Sequence, residues 1–260
     1  MKRLLLNADD YGLHPLINEA VETGVERRAL NSVSVMTNAA FADYSVLKNF
    51  QRNGVFVGCH LSLVRSAWLT ENINIFGWKE FRWRMFIEGK AFLARLKKEA
   101  ASQIELLLAN GILPDHLDSH QHVHHFPSVW NLVDELRSQF NIKRVRCCQA
   151  PIAAPRKNGI SGWMLHRYAG SVFDLQNHYY TAGLKHAGNY SFEKFETELA
   201  AAGNGDVEFI LHPAINTAVL EKIYPDWKFD WGVEFQTLMD TRLLHAISKC
   251  NFYMPQRNAE

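Results

Sequence analysis

The chain has 260 residues, 47% of them hydrophobic and 21% charged, with a formal net charge of +1. That length fits one large domain burying roughly 70–75% of the surface its unfolded form would expose, and the near-neutral charge, without polybasic or acidic tails, argues for neither nucleic acid nor an acidic partner. No apolar run approaches about 18 residues and the four cysteines (Cys59, Cys147, Cys148, Cys250) show no CxxC spacing, so neither a membrane-spanning chain nor a disulfide framework is expected.

In chain order, residues 3–8 (RLLLNA) read as a short strand ending in Asp9-Asp10-Tyr11-Gly12. Pro15 then opens a helix whose apolar positions are Leu16, Ile17, Ala20, Val21, Gly24 and Val25. The leucines at 4–6 are too short a run for a secretory signal, and a soluble cytoplasmic protein is the expectation. A β-branched run at 32–36 predicts a second strand, residues 41–50 a helix, and VFVGC at 55–59 a third strand with His60 just past its end. Residues 64–92 interleave Trp68, Phe76, Trp78, Phe81, Trp83, Phe86 and Phe92 with Arg65, Lys79, Arg82, Arg84 and Lys90. This reads as an aromatic and basic insertion, suited to packing over the domain, stacking on sugar rings or transient contact with a membrane surface. The spacing from Ala91 to Asn110 predicts a long amphipathic helix closed by a left-handed Gly111, with Pro114 beyond it.

After the stretch DHLDSHQHVHHFP (115–127), a helix is expected near 128–140 and a strand at 144–148. An irregular excursion over about 149–190 follows, with one short helix near 162–169, then a helix at 191–202 and a strand at 207–211. A last helix near 232–248 and an apolar tail at 251–254 complete the chain. Short strands alternating with helices imply parallel pairing, hence an α/β fold of six to eight strands, a closed or distorted (β/α) barrel formed by a single domain over 1–260.

The stretch from Asp115 to Pro127 holds five of the twelve histidines: His116, His120, His122, His124 and His125. If extended, its two-residue period sets Asp118, His120, His122 and His124 on one face. A solvated His-rich loop would account for the composition alone. Chemistry is favoured by where the other polar groups fall: Asp9 and Asp10 follow the first strand, His60 the third, His120 the next and His212 a late one. In a parallel α/β fold those positions share the C-terminal edge, and a common metal site is expected there.

The segments NADDYG (7–12), VGCHLSL (57–63), HLDSHQHVH (116–124) and LHPA (211–214), in this order and spacing, resemble the YdjC-like carbohydrate deacetylases of the ChbG/HpnK type. Ala214 and the aromatic insertion are more similar to the hopanoid-biosynthesis-associated HpnK branch. The resemblance spans nearly the whole chain. It implies a polysaccharide-deacetylase-like (β/α) barrel of about seven strands and removal of an N-acetyl group from an amino sugar, in an oligosaccharide or a glycolipid headgroup. It also implies one divalent ion, magnesium or zinc, with Asp10, His60 and His120 as ligands and Asp9 as catalytic base, and a homodimer. The chain departs from the pattern at Cys59, which should be neutral for metal binding, and at Val233-Glu234, where many members carry Arg-Glu. The second departure leaves open which residue supplies a positive charge near the site.

Amide hydrolysis needs a nucleophile at neutral pH, stabilisation of an oxyanion and a proton for the departing amine. A divalent ion on one carboxylate and two imidazoles meets the first two needs. Adjacent carboxylates on extended backbone point to opposite faces, so Asp9 is free to take a proton while Asp10 ligates. His212 is the expected general acid, with His122 or His124 as substitutes, and Asp118 is a candidate to orient an imidazole. Tyr11 and Gly12 are expected to shape the loop or meet substrate, and His116 and His125 to serve structure. Mixed nitrogen and oxygen ligands suit zinc, manganese, cobalt or iron, whereas magnesium prefers oxygen. Two other readings stay open: a metal-dependent phosphoester hydrolase using a similar His/Asp set, and a non-catalytic sugar- or lipid-binding protein built on the aromatic insertion.

Overall fold

The structure is a computed structural model that describes residues 3–148, 179–202 and 206–252. Seven parallel strands, β1 (Leu4–Tyr11), β2 (Ser32–Val35), β3 (Phe56–Leu61), β4 (His116–Ser119), β5 (Arg144–Val145), β6 (Tyr180–Ala182) and β7 (Val207–Leu211), form one sheet ordered β5-β4-β3-β2-β1-β7-β6. The connections carry α1 (Pro15–Glu26), α2 (Tyr44–Arg52), α3 (Trp78–Ile87), α4 (Lys90–Ala109), α5 (Pro127–Gln139), α6 (Phe192–Ala201), α7 (Thr217–Ile223), α8 (Trp231–Met239) and α9 (Thr241–Ser248). This is the α/β architecture of parallel strands that the alternation implies, with a strand number inside its range of six to eight and equal to the seven that the resemblance implies. The helix expected near 162–169 lies outside the described residues. Among the described residues no helix is long and apolar enough to cross a membrane.

By compactness the chain divides into two units, one made of Met1–Val35, Ala40–Val57 and Tyr179–Glu260, the other of Met36–Ala39 and Gly58–His178. In the first, β1 is the central strand. It pairs with β2 through Asn7 opposite Ser32 and Ala8 opposite Val33, and with β7 from Leu4 opposite Val207 to Ala8 opposite Leu211. All eight of its residues are buried, and the run Leu4-Leu5-Leu6 suits a strand covered on both faces. Asn31 extends the ladder with its side chain, accepting from Leu6 N at 2.8 Å and donating to Leu4 O at 2.9 Å. Helix α1 approaches α8 across Gly24, where a Cβ would stand 2.7 Å from Leu30 Cδ1 and 3.0 Å from Leu238 Cδ1. The last expected helix is two helices, α8 and α9. Asp240 separates them, with extended backbone and a carboxylate that accepts from Arg242 N at 2.8 Å, a cap that starts α9 afresh.

In the second unit β4 pairs with β3, His60 opposite Asp118, and with β5, Leu117 opposite Val145. Helix α4 buries the stripe Phe92, Leu96, Ala100, Ile104 and Leu107 and ends before Gly111, whose φ of 70° is the left-handed conformation expected there. Two polar residues on the same face are also buried. Glu99 accepts from the Leu69 and Thr70 backbone at 3.0 and 2.9 Å, and Gln103 accepts from Ser62 N at 2.9 Å, tying the chain after β3 to the helix.

Four boundaries differ from expectation for local reasons. β1 runs on through Asp9, Asp10 and Tyr11 because these side chains are buried rather than solvated. His60 lies inside β3 rather than past its end. β5 stops at Val145, short of the run to Cys148, although the Arg146 N–H still donates to Leu117 O at 2.8 Å. The segment 64–92, which offers no clear periodicity, contains a helix, α3, with apolar residues on more than one side.

Candidate active site

The C-terminal end of β1 carries the two aspartates. Between Ala8 and Tyr11 its register against β2 slips, because one extra residue enters β1, and Asp10 adopts φ 65°. Aspartate tolerates this left-handed geometry better than most residues, and a bulge re-aims the side chains it carries. Strict alternation therefore does not govern Asp9 and Asp10; the bulge sets their directions separately. Both are buried. Asp9 Oδ1 accepts from Asn7 Nδ2 at 2.7 Å, and the same amide nitrogen donates to Ser34 Oγ at 3.0 Å.

His212 follows β7, the strand beside β1. Its Nε2 lies 4.0 Å from Asp9 Oδ2, so a carboxylate and an imidazole from neighbouring strand ends face each other. The backbone N–H of His212 donates to the Glu234 carboxylate, and its ring packs on Phe229 with centroids 5.2 Å apart. Burial pushes the Glu234 carboxyl above its ordinary range, partly offset by the nearby His212. Tyr11 is fully buried and its hydroxyl donates to Glu22 on α1 at 2.9 Å. It anchors the helix, and burial followed by Glu22 raises its pKa. Gly12 has φ 96°, and its N–H donates to Asn18 at 2.7 Å, which closes the turn.

In the second unit the register that sets His60 opposite Asp118 brings their side chains together. His60 Nδ1 and Asp118 Oδ1 are 2.8 Å apart. A carboxylate there accepts the Nδ1 proton and leaves the Nε2 lone pair for another partner, the tautomer a ligating histidine needs. The His60 and His120 rings lie edge to face, 5.7 Å apart. Behind them Arg146 Nη2 meets Asp118 Oδ2 at 2.7 Å, with both side chains fully buried. Burial opposes the charged form of Asp118, but Arg146 and then His60 outweigh it and hold the carboxyl well below its usual range. Arg146 is the residue that sequence reasoning missed. Its one signal was a cation two residues after Arg144, in a segment otherwise apolar.

The His-rich stretch is extended only to Ser119. Gln121 and His122 take left-handed φ values of 54° and 55° and put a kink inside the short 3₁₀ segment of residues 120–125, so the expected single face of Asp118, His120, His122 and His124 does not form. His124 is buried with both ring nitrogens occupied, Nδ1 by Ser119 Oγ at 2.5 Å and Nε2 by Arg146 O at 3.0 Å. Burial, then the adjacent His125, depresses its pKa well below the ordinary value. His125 donates from Nδ1 to His122 O at 3.3 Å and accepts from Cys148 N at 2.8 Å, with burial bringing its pKa down to about 4. Donor atoms of His124, His125 and Cys148 come within 4.8 Å of one another, yet the hydrogen bonds of the two rings commit this group to tying the turn to the chain after β5. His122 is partly exposed, its Nδ1 3.8 Å from Cys148 Sγ. His116 is fully buried with Nδ1 3.6 Å from Asp115 and Nε2 3.9 Å from Asp118.

The chain is 31% identical over 143 residues, 54% of its length, to a protein of Clostridium beijerinckii described as a carbohydrate deacetylase. It is 30% identical over 149 residues, 55% of its length, to one of Escherichia fergusonii described as a chitooligosaccharide deacetylase. Each match spans 58% of the relative, little more than half its length. Among solved structures, a candidate cellobiose-phosphate cleavage protein of Enterococcus faecalis V583 superposes with a TM-score of 0.72 at 16% identity, covering 98% of this chain and 97% of that one, a likeness of fold. The profile of the YdjC-like proteins matches residues 3–249, and the chain belongs to the YdjC-like protein family.

Proposed function

We propose that the protein is a metal-dependent hydrolase that removes an N-acetyl group from an amino sugar and releases acetate. The observation that carries this reading is the buried pair at the ends of β1 and β7, Asp9 Oδ2 and His212 Nε2 at 4.0 Å, a base and an acid held side by side. The relatives described as carbohydrate and chitooligosaccharide deacetylases support the substrate class. An oligosaccharide containing N-acetylglucosamine is the substrate we favour, with a glycolipid headgroup as the variant that the HpnK-like features suggest.

Asp10, His60 and His120 would hold one divalent ion. The donor chemistry fits: one carboxylate at a bulge and two imidazoles, of which His60 has its Nδ1 tied to Asp118 and its Nε2 turned over to a ligand role. When bound, the ion would lower the pKa of a water and polarise the acetyl carbonyl. Zinc suits the mixed donor set and magnesium is the other candidate. Asp9 would accept the proton of the attacking water at Oδ2, its Oδ1 being held by Asn7. His212 would deliver a proton from Nε2 to the departing amine. The Glu234 carboxylate fixes the His212 backbone and Phe229 fixes its ring, so the proton is offered from one orientation. Arg146, by pairing with Asp118, keeps that carboxylate ionised behind His60. Asp118 would orient His60, and His122, the partly exposed ring, is the substrate-facing candidate.

The test is acetate release from acetylated chito-oligosaccharides by the wild-type chain and by Asp9→Asn. The proposal expects release by the first and a loss of at least about 100-fold in the second, the usual contribution of a general base. Undiminished release in Asp9→Asn would overturn the mechanism. A cytoplasmic homodimer completes the reading, and cell fractionation with light scattering checks both parts.

A further inference from the structure

The aromatic and basic segment has no part in this chemistry, yet α3 is built in a way that needs a partner. Its inner side is packed: Phe81 is fully buried, edge to face with Trp78, Phe92 and Phe126 at 6.1, 5.6 and 6.2 Å. Its outer side is also apolar. Trp83 is 60% exposed, Phe86 84% and Ile87 58%, and Phe76 just before the helix is 73% exposed. Helical spacing puts Lys79, Arg82, Trp83, Phe86 and Ile87 on one stripe, and Lys90 opens the next helix after the break at Gly89. A helix that is apolar on both sides is stable in place only when both sides are covered.

The charges say what covers the outer side. The acids on and beside the helix are engaged elsewhere, three carboxylates sharing two arginines: Glu80 is held by Arg84 at 2.8 Å, Glu88 by Arg84 and Arg95 at 3.1 and 2.6 Å, and Glu71 by Arg95 at 2.8 Å. Lys79, Arg82 and Lys90, all exposed, form no ion pair among the described residues. The stripe is therefore an apolar centre rimmed by three cations that stand outside the ion pairs of the described residues. A second copy meeting it face to face would set those cations against themselves. A sugar chain would leave the aliphatic Ile87 unexplained. Aromatic and aliphatic side chains flanked by lysine and arginine match the boundary of a bilayer whose headgroups are anionic. We propose that the outer face of α3 is a docking surface for a membrane containing anionic phospholipid. This surface stands independently of the catalytic reading.

The test is co-sedimentation of the full chain with vesicles of phosphatidylcholine alone and of phosphatidylcholine mixed with phosphatidylserine. The expected result is binding to the mixed vesicles only, reversed by high salt. Each of Lys79→Gln and Arg82→Gln should weaken the partition roughly fivefold, and Trp83→Ser/Phe86→Ser should abolish it while leaving the thermal unfolding midpoint unchanged. Protein that stays in the supernatant with mixed vesicles at low salt overturns the proposal. So does equal binding by Trp83→Ser/Phe86→Ser, or light scattering that shows a dimer which Phe86→Ser converts to monomer.

Discussion

Removing Asp118 should expose how much of the second unit depends on one buried carboxylate. It bonds His60 Nδ1 at 2.8 Å and Arg146 Nη2 at 2.7 Å, with no solvent exposure on Asp118 or Arg146. In Asp118→Leu the guanidinium faces a hydrocarbon where its anion stood, and breaking a buried pair from one side costs about 3–5 kcal/mol. Replacing both partners, as in Asp118→Leu/Arg146→Met, removes the stranded charge and should recover about half of that loss or more. Urea unfolding followed by circular dichroism reads both. With a slope of about 2–3 kcal/mol/M, the single variant should lose at least about 1 M in midpoint, and the double variant should lie between it and the wild type. A single variant within about 0.5 kcal/mol of wild type would refute the reasoning. So would a double variant less stable than the single.

Gly58→Ala should destabilise by about 1–3 kcal/mol, since the new Cβ would stand 2.2 Å from the buried His116 Nε2; a melting midpoint about 2–10 °C lower is expected, and an unchanged one would show that His116 yields freely. Asp115, beside His116, Arg144 and Lys143, has a carboxyl pKa lowered to about 2 from 3.8 against the opposing effect of its burial. Its pKa is lower folded than unfolded, so its stabilisation, roughly 2 kcal/mol, is present above pH 3.8 and is lost as pH falls towards 2. Urea midpoints at successively lower pH should therefore converge between wild type and Asp115→Asn, and a constant gap would contradict this. Asp240→Ala removes the cap of α9 and should lower the urea midpoint; an unchanged midpoint would show that α9 starts without it.

The strands were legible because β-branched and leucine runs such as 4–6, 32–36 and 207–211 leave few alternatives, and parallel order followed from their alternation with helices. Candidate groups could be gathered at one sheet edge for the same reason. What pattern could not show was backbone detail. The bulge at Asp10, the left-handed pair Gln121 and His122, and the cap at Asp240 each depend on local hydrogen bonds that the apolar periodicity does not record. Arg146 escaped because its meaning depends on pairing with Asp118, 28 positions earlier in the chain. Helix α3 escaped because apolar residues on both its sides erase the one-sided stripe by which helices are recognised.

The activity proposed for the chain is single-ion N-deacetylation. Acetate release from an acetylated chito-oligosaccharide, followed while a divalent ion is titrated into chelator-stripped protein, tests it most directly. No release is expected without the ion, and with it a rise to a plateau at one equivalent per chain, absent in His120→Ala. Release that is independent of the ion, or a plateau only at two or more equivalents, would contradict it.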